Sequence, residues 1–176
     1  MDEIVVKVAR TLACLTRLAV LSRLVRQGET APTQLVRGLS IRLDTLSVHL
    51  RRLADAGLIQ RRRSGAWTYC SAESPYSEEA FSGKVTAWVR RLLQDPTAAA
   101  KNYGLGQVRN PSEREAERAL HGAIFEAATA FGHLRRLQIL RRLAHGGATT
   151  TERIMEELRM SDAAASRHLD KLARRG

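Results

Sequence analysis

Cysteine is nearly missing from this chain: Cys14 and Cys70 are the only two in 176 residues, with no C-x-x-C pairing. That excludes a disulfide framework and leaves the fold to packing alone. Long apolar runs are missing too, and nothing approaches the roughly 18 consecutive apolar residues that a membrane span needs. The start, Met1-Asp2-Glu3, is acidic where a secretory signal would be basic, so the cytoplasm is the expected location. No nucleophile-base pair, carboxylate pair or Gly-rich loop stands out, so no catalytic residue is assigned, no cofactor is implied and an enzyme is not expected. Acidic side chains are in deficit: 18 Asp and Glu against 29 Lys and Arg give a net charge of +11 and a pI near 10.9. Such a balance points to a polyanionic partner. What the chain does have is 44% hydrophobic residues, enough to exclude disorder along its whole length and to build one large or two small domains.

Two copies of one pattern account for most of it. Residues 4–57 align with residues 123–176 without a gap, at an offset of 119, and sixteen of the fifty-four positions are identical, among them Arg17/Arg136, Leu21/Leu140, Gly28/Gly147, Ser47/Ser166, His49/His168 and Leu53/Leu172. An ungapped register of that quality marks an internal repeat. In the first copy Ile4, Val5, Val8 and Leu12 make one helical stripe. Leu18, Leu21, Leu24 and Val25 make another, which stops at the C-terminal cap residue Gly28. Thr30 is then expected to cap a short helix through Val36, with Pro32 in its first turn. In the second copy Thr149-Thr150-Thr151-Glu152 reads as a fuller capping box. After the turn Gly38-Leu-Ser-Ile41 comes a helix with Leu46, Leu50 and Leu53 inward, ending at Gly57; its counterpart runs from Ser161 to Arg175. Two short helices joined by a tight turn, the second amphipathic and basic, describe a helix-turn-helix.

Past Gly57, residues 58–72 alternate as a two-stranded hairpin about Ser64-Gly65, the wing of a winged helix. The second copy reaches Gly176 where its own wing would begin. The two readings are a chain truncated at that point and a wingless second domain, and truncation is the expected one.

Thr11-Leu-Ala-Cys-Leu-Thr-Arg-Leu-Ala-Val-Leu21, then Leu46-Ser-Val-His-Leu-Arg-Arg-Leu-Ala-Asp-Ala-Gly-Leu58, then a basic hairpin containing Tyr69, resemble the ArsR-type winged helix-turn-helix regulators. The resemblance covers residues 4–72 and again 123–176. It implies a bacterial or archaeal transcription factor on double-stranded DNA, commonly a homodimer joined through its first and last helices, and commonly a repressor released by an inducer, here a small-molecule or redox one. The chain also departs from the family. The Asp-Pro-Thr-Arg turn appears as Cys14-Leu-Thr-Arg17 and His133-Leu-Arg-Arg136, and Val48 replaces a recognition-helix Arg that the second copy keeps as Arg167. The family's thiol-rich metal motif would fall near Thr33 to Arg37, and its zinc site within Tyr76 to Gln94; neither stretch holds a Cys or His, so no metal site is assigned.

Between the copies, Ser74-Pro75 opens a segment whose Phe81, Val85, Trp88, Val89 and Leu92 share a helical face. Asp95-Pro96 ends it, and a linker with Gly104, Gly106 and Pro111 follows. Gly104-Leu-Gly-Gln-Val-Arg109 is read as linker because it lacks the last glycine and the preceding strand of a phosphate loop. Ser112 then starts a helix carrying Leu120, Ile124, Ala127, Ala128 and Phe131. The expected fold is mainly α with a small β-hairpin wing: tandem winged helix-turn-helix domains sharing a dimer-like helical core. Residues 1–74 form the first domain with its wing at 58–72, residues 75–111 an interface helix and linker, and residues 112–176 the second helix-turn-helix. The helices from Asp2 to Ala13, Pro75 to Gln94 and Ser112 to Phe131 would make an intramolecular pseudo-dimer, with a homodimer as the other assembly if an apolar groove stays uncovered.

Charge sits where DNA would be. Residues 1–75 carry 12 basic and 6 acidic side chains, residues 76–119 carry 7 and 6, and residues 120–176 carry 10 and 6. Each Lys or Arg on a phosphate releases counterions. Base readout is expected from Arg42, Asp44, Thr45, Ser47, Val48 and Arg51, with Arg52 adding charge, and from Ser161, Asp162, Ala163, Ser166, Arg167 and Lys171 in the second copy. Backbone N–H groups near Thr33 and Gln34, and near Thr151 and Glu152, would face phosphates. Arg61, Arg62 and Arg63 would hold the backbone or reach the minor groove, against the plainer reading of a solvated edge strand. The outward pairs Asp44/Ala163, Val48/Arg167 and Arg51/Asp170 differ, which predicts an asymmetric target with half-sites about 10 base pairs apart. His49 and His168 read as polar packing residues, His121, His133 and His145 as unrelated, and both cysteines as small buried groups. The second reading of the whole chain is a tandem winged-helix protein-interaction adaptor without DNA binding.

Overall fold

The structure, a computed structural model, describes residues 1–105 and 111–174; most of the stretch Gly104-Leu-Gly-Gln-Val-Arg109 and the expected end of the second recognition helix at Arg175 lie outside these. Helix α1 (Asp2–Leu12) carries Asp2 and Glu3 in its first turn, where the helix dipole favours negative charge. Its buried side is Val6, Val8, Ala9, Thr11 and Leu12, whereas Ile4 is 49% exposed and stands outside the stripe expected for it. Helix α2 (Leu15–Gln27) follows, then α3 (Pro32–Leu35), a 3-10 turn over Val36–Gly38, and α4 (Leu43–Asp55). The hairpin is β1 (Gln60–Ser64) and β2 (Trp67–Ser71), antiparallel with Arg61 opposite Cys70 and Arg62 opposite Tyr69. Helices α5 (Phe81–Gln94), α6 (Pro96–Asn102), α7 (Glu113–Phe131), α8 (Leu134–Gly146), α9 (Thr151–Leu158) and α10 (Asp162–Ala173) complete the chain.

The repeat is physical as well as textual. In α2 and α8 the chain turns at Gly28 (φ 71°) and Gly147 (φ 66°), each donating its N–H to the Leu four residues back, at 2.9 Å in both. Positive φ is the glycine region, which is why both copies keep it there. Arg17 reaches back from α2 to the carbonyls of Thr11 and, at 2.8 Å, Arg10. Arg136 does the same from α8 to Ala130 at 3.0 Å and Thr129 at 2.6 Å. These are the carbonyls that a helix end leaves without partners, so one guanidinium closes α1 in the first copy and its equivalent closes α7 in the second.

Four expectations are corrected. Thr30 does not cap α3: Ala31 does, and Thr30 pairs backbone to backbone with Cys70 (3.0 and 2.9 Å), as a β-branched residue next to a strand favours. The second-copy cap is Thr150, whose hydroxyl accepts from Arg153; one residue of shift puts Arg153 where the box needs Glu152, so no box forms. Helix α5 starts at Phe81 and not at Pro75, since a turn closed by Ala80 N–H on the Ser77 carbonyl (3.0 Å) comes first. The expected linker begins with α6, where Asp95 accepts from Ala98 N–H at 2.9 Å and Pro96, Ala99 and Ala100 are buried, the helix lying on α7.

One core joins α1, α2, α4, the wing base, α5 and α7. Leu12, Leu18, Leu24, Leu35, Leu46, Leu50, Leu53, Leu58, Ile59, Leu93, Leu120 and Ile124 all belong to it. No buried residue of α8, α9 or α10 belongs to it; there Leu137, Ile139, Ile154 and Ala165 are buried, while Leu140, Leu143, Leu169 and Leu172 are half-buried.

Candidate nucleic-acid interface

Helix α4 turns Leu46, Leu50 and Leu53 inward, and at 100° per residue the opposite face falls to Asp44, Val48, Arg51 and Asp55. Arg42, Asp44, Thr45, Ser47, Val48, Arg51 and Arg52 are all exposed, Val48 by 53%. Several are already engaged. Asp44 accepts from the Thr45 N–H at 2.7 Å and pairs with Arg42 at 3.3 Å, an exposed pair of little energy that DNA would displace. Ser47 donates back to the Leu43 carbonyl at 2.8 Å. Arg52 stands apart, in a cleft of about 470 Å3 that it shares with Asp55 and with Glu3, Lys7 and Arg10 of α1. Arg51 makes no ion pair among the described residues, so its charge is available.

The wing sorts its three arginines by strand alternation. Arg61 lies opposite the buried Cys70, and Arg63 falls on the same face. Arg62 points the other way and is held by Glu29 through two hydrogen bonds, Nε to Oε1 at 2.9 Å and Nη2 to Oε2 at 2.7 Å, with its guanidinium 5.4 Å from the centre of the Tyr69 ring. Hydrogen bonding from Arg62 holds the Glu29 carboxyl below the usual range, and the same donation to Glu29 holds Arg62 above its own. Arg62 is therefore a clamp between the wing and the α2–α3 connection, while Arg61 and Arg63 face elsewhere. The sequence reading missed this clamp; an acidic residue just after the Gly28 cap, across from a basic wing, was its only signal. It also missed Trp67, 60% exposed at the hairpin tip.

In the second copy Ser161 is the N-cap of α10 without a side-chain cap bond, and Asp162, Ala163, Ser166, Arg167 and Lys171 are exposed. Arg167 folds back to the Ala163 carbonyl at 2.9 Å. Thr33 and Gln34 are exposed on α3, a single turn begun by Pro32, and Gln34 accepts from the Thr30 hydroxyl at 3.1 Å. At Thr151 and Glu152 the first turn of α9 is occupied by the chain itself: hydrogen bonds from its own backbone N–H and from the Thr150 hydroxyl hold the Glu152 carboxyl low. A phosphate there would meet a carboxylate.

His133 and His168 pack together, and His121 and His145 stand elsewhere. His133 caps α8 by accepting the Arg135 N–H at 3.2 Å, and its ring lies 4.5 Å from that of His168. His145 bonds the Arg141 carbonyl at 2.8 Å. His121 meets the Ser22 hydroxyl at 2.7 Å and stands 3.9 Å from Glu117, but both partners use the same Nε2 and Ser22 is buried, so this is a structural tie between α2 and α7 and not a proton relay. Cys70 is buried, which pushes its thiol up; Cys14 is half-buried and N-caps α2 through its backbone.

A winged helix-turn-helix with an exposed basic reading helix, followed by a second helix-turn-helix whose Arg136 closes the preceding helix as Arg17 does in the first, defines a tandem DNA-binding transcription regulator. Residues 16–62 match the helix-turn-helix domain family, and residues 134–176 match the bacterial regulatory protein, arsR family. The chain thus carries two helix-turn-helix regions, the second of them similar to the arsR regulators. No curated protein and no solved structure matches it. Among the described residues no helix is long and apolar enough to cross a membrane.

Proposed function

We propose that the chain binds double-stranded DNA sequence-specifically as an intramolecular pseudo-dimer and acts in the cytoplasm as a repressor. The observation that carries this reading is the set of exposed wing and reading-helix arginines, of which Arg51 and Arg63 make no ion pair among the described residues. Val48 at the centre of the exposed face suits the methyl group of a thymine, and Arg51 one turn away suits a guanine or a phosphate. The second copy presents Arg167 and Asp170 at the places of Val48 and Arg51, and there Arg167 is folded onto the Ala163 carbonyl and Asp170 carries the wrong charge for a phosphate, so this copy contributes backbone positioning more than base readout. The two surfaces call for an asymmetric site with half-sites about 10 base pairs apart. A buried Cys70 with a raised thiol is a poor redox sensor, so a redox inducer would have to act on the half-buried Cys14, and a small molecule is the other inducer class.

Fluorescence anisotropy against a pool of random duplexes over a salt series, followed by selection of the tightest binders, tests this. A steep salt slope with an enriched asymmetric motif is expected. A perfect palindrome would sink the asymmetric reading. A shallow slope without enrichment would replace DNA by a protein partner and make the chain an adaptor.

A further inference from the structure

Helices α1, α5, α7 and α8 enclose a groove of about 290 Å3 whose twelve lining residues are all apolar. Its floor is sealed: Val8, Leu12 and Ile124 are buried core residues. Its rim is open, with Trp88 37% and Phe131 41% exposed. Water inside would find no polar partners, and an apolar hole of about 150 Å3 already stays dry and takes a single aromatic ring. A volume near twice that, just under the roughly 300 Å3 at which ligand pockets begin, fits two fused rings. It is far too small for a helix, whose cylinder is about 10 Å across with side chains. No ionised side chain lines it, and the one donor on its wall, the Trp88 indole N–H, is spent on the Tyr103 hydroxyl at 3.4 Å, so a charged or strongly polar molecule would lose its hydration without compensation.

We propose that this groove is a binding site for a small, uncharged, planar aromatic molecule of about two rings, held by dispersion against Phe81, Trp88 and Phe131. Two walls belong to the first copy (α1) and to the interface helix (α5), and two to the second copy (α7 and α8), so the occupant touches both helix-turn-helix units at once. Under the repressor reading it would fill the inducer's place, but ligand capture itself does not rest on that reading and is measured without DNA.

The test uses the full chain and the neutral two-ring probe N,N-dimethyl-2-naphthylamine. Saturable binding of one probe per chain is expected, with a rise in probe emission and, in a Trp67→Phe background, quenching of Trp88. Ala127→Phe fills the groove from α7, and Val5→Phe fills it from α1. Each is expected to weaken the probe at least tenfold while the thermal melt keeps its cooperativity, and the second variant decides if the first fails to fold. Probe emission that never saturates, or that is as strong in both filled variants as in the unsubstituted chain, would overturn the site. So would sedimentation showing a dimer that either filled variant dissociates, because a second copy of the chain would then be the natural occupant.

Discussion

The two copies share a scaffold and differ in how it is closed. Arg17 and Arg136 make the same pair of backbone bonds, Gly28 and Gly147 make the same cap, and Leu35 and Ile154 are buried alike. Yet Leu21, Leu24, Leu50 and Leu53 are sealed in the first copy, while their equivalents Leu140, Leu143, Leu169 and Leu172 stay half-buried. The difference lies in what covers them. Leu58 and Ile59 at the base of the wing, with Val89 and Leu93 of α5, close the first copy, and nothing equivalent lies on α8 to α10 among the described residues. Leu46 is also matched by Ala165, fully buried in both, so the second core has less apolar volume to begin with. The helix-turn-helix frame is set by caps and clamps, and its stability by what is added to it.

The largest expected effect tests that statement directly. Leu53→Ala removes a side chain at 0% exposure and should cost about 3 to 4 kcal/mol, whereas Leu172→Ala should cost about 1 kcal/mol. Urea unfolding measures both; equal losses would break the comparison. Arg17→Ala and Arg136→Ala should instead match, each about 2 kcal/mol, since each leaves two backbone carbonyls near a helix end without donors.

Function should divide the same way. On the selected duplex, Arg51→Ala is expected to lower affinity about tenfold and Arg167→Ala much less, because Arg167 is folded onto its own helix. The Arg51/Arg52 double variant should add little to Arg51→Ala, as Arg52 sits in the α1 cleft. On the wing, Arg63→Gln should reduce the salt slope by about 1, while Arg62→Gln weakens binding without changing the slope, since its charge is spent on Glu29. A slope that falls equally in both would return Arg62 to the phosphate backbone.

Acid should reach both copies, through different histidines. Burial depresses His121, His133, His168 and His49, aided by Arg26 at the first, by Arg136 and Arg10 at the second, by the neighbouring His133 at the third and by Arg17 at the fourth. A histidine depressed in the folded state binds its proton more readily when unfolded. Stability is therefore full above the ordinary histidine value near about 6.5 and is lost as pH falls through the lower folded values. Melting temperature should drop between pH 7.5 and pH 5.5. His121→Gln, which keeps a polar group beside Ser22, should flatten part of that drop; an unchanged profile would mean that His121 titrates normally.

Much of this was legible in the residues. The offset of 119 needed only identities, and the wing needed only Ser64-Gly65 between alternating segments. Less legible was anything decided by a tertiary partner. Thr30 has the chemistry of a cap, but Cys70 offers it a strand to pair with, and the strand prevails. Residues 96–102 read as linker because seven residues show no full amphipathic period; α7 stabilises them by burying Pro96, Ala99 and Ala100. Arg62 was grouped with its neighbours because a run of identical residues hides the alternation that sends one of the three to Glu29. The candidate interface was legible as a set of exposed charges, not as a division between available and engaged ones.

The smallest effect concerns the caps, where the second copy is better made than the first. Thr150 gives α9 a side-chain acceptor, whereas Ala31 gives α3 none. Thr150→Ala should therefore cost about 1 kcal/mol and lower the melting temperature by several degrees. The reverse change is not symmetric. Ala31 is buried, so Ala31→Ser gains a cap bond but must desolvate the hydroxyl, and the two contributions should cancel to within about 0.5 kcal/mol. A clear gain from Ala31→Ser would show that α3 is limited by its cap, whereas no change would show that the Thr30–Cys70 pairing already fixes where it starts.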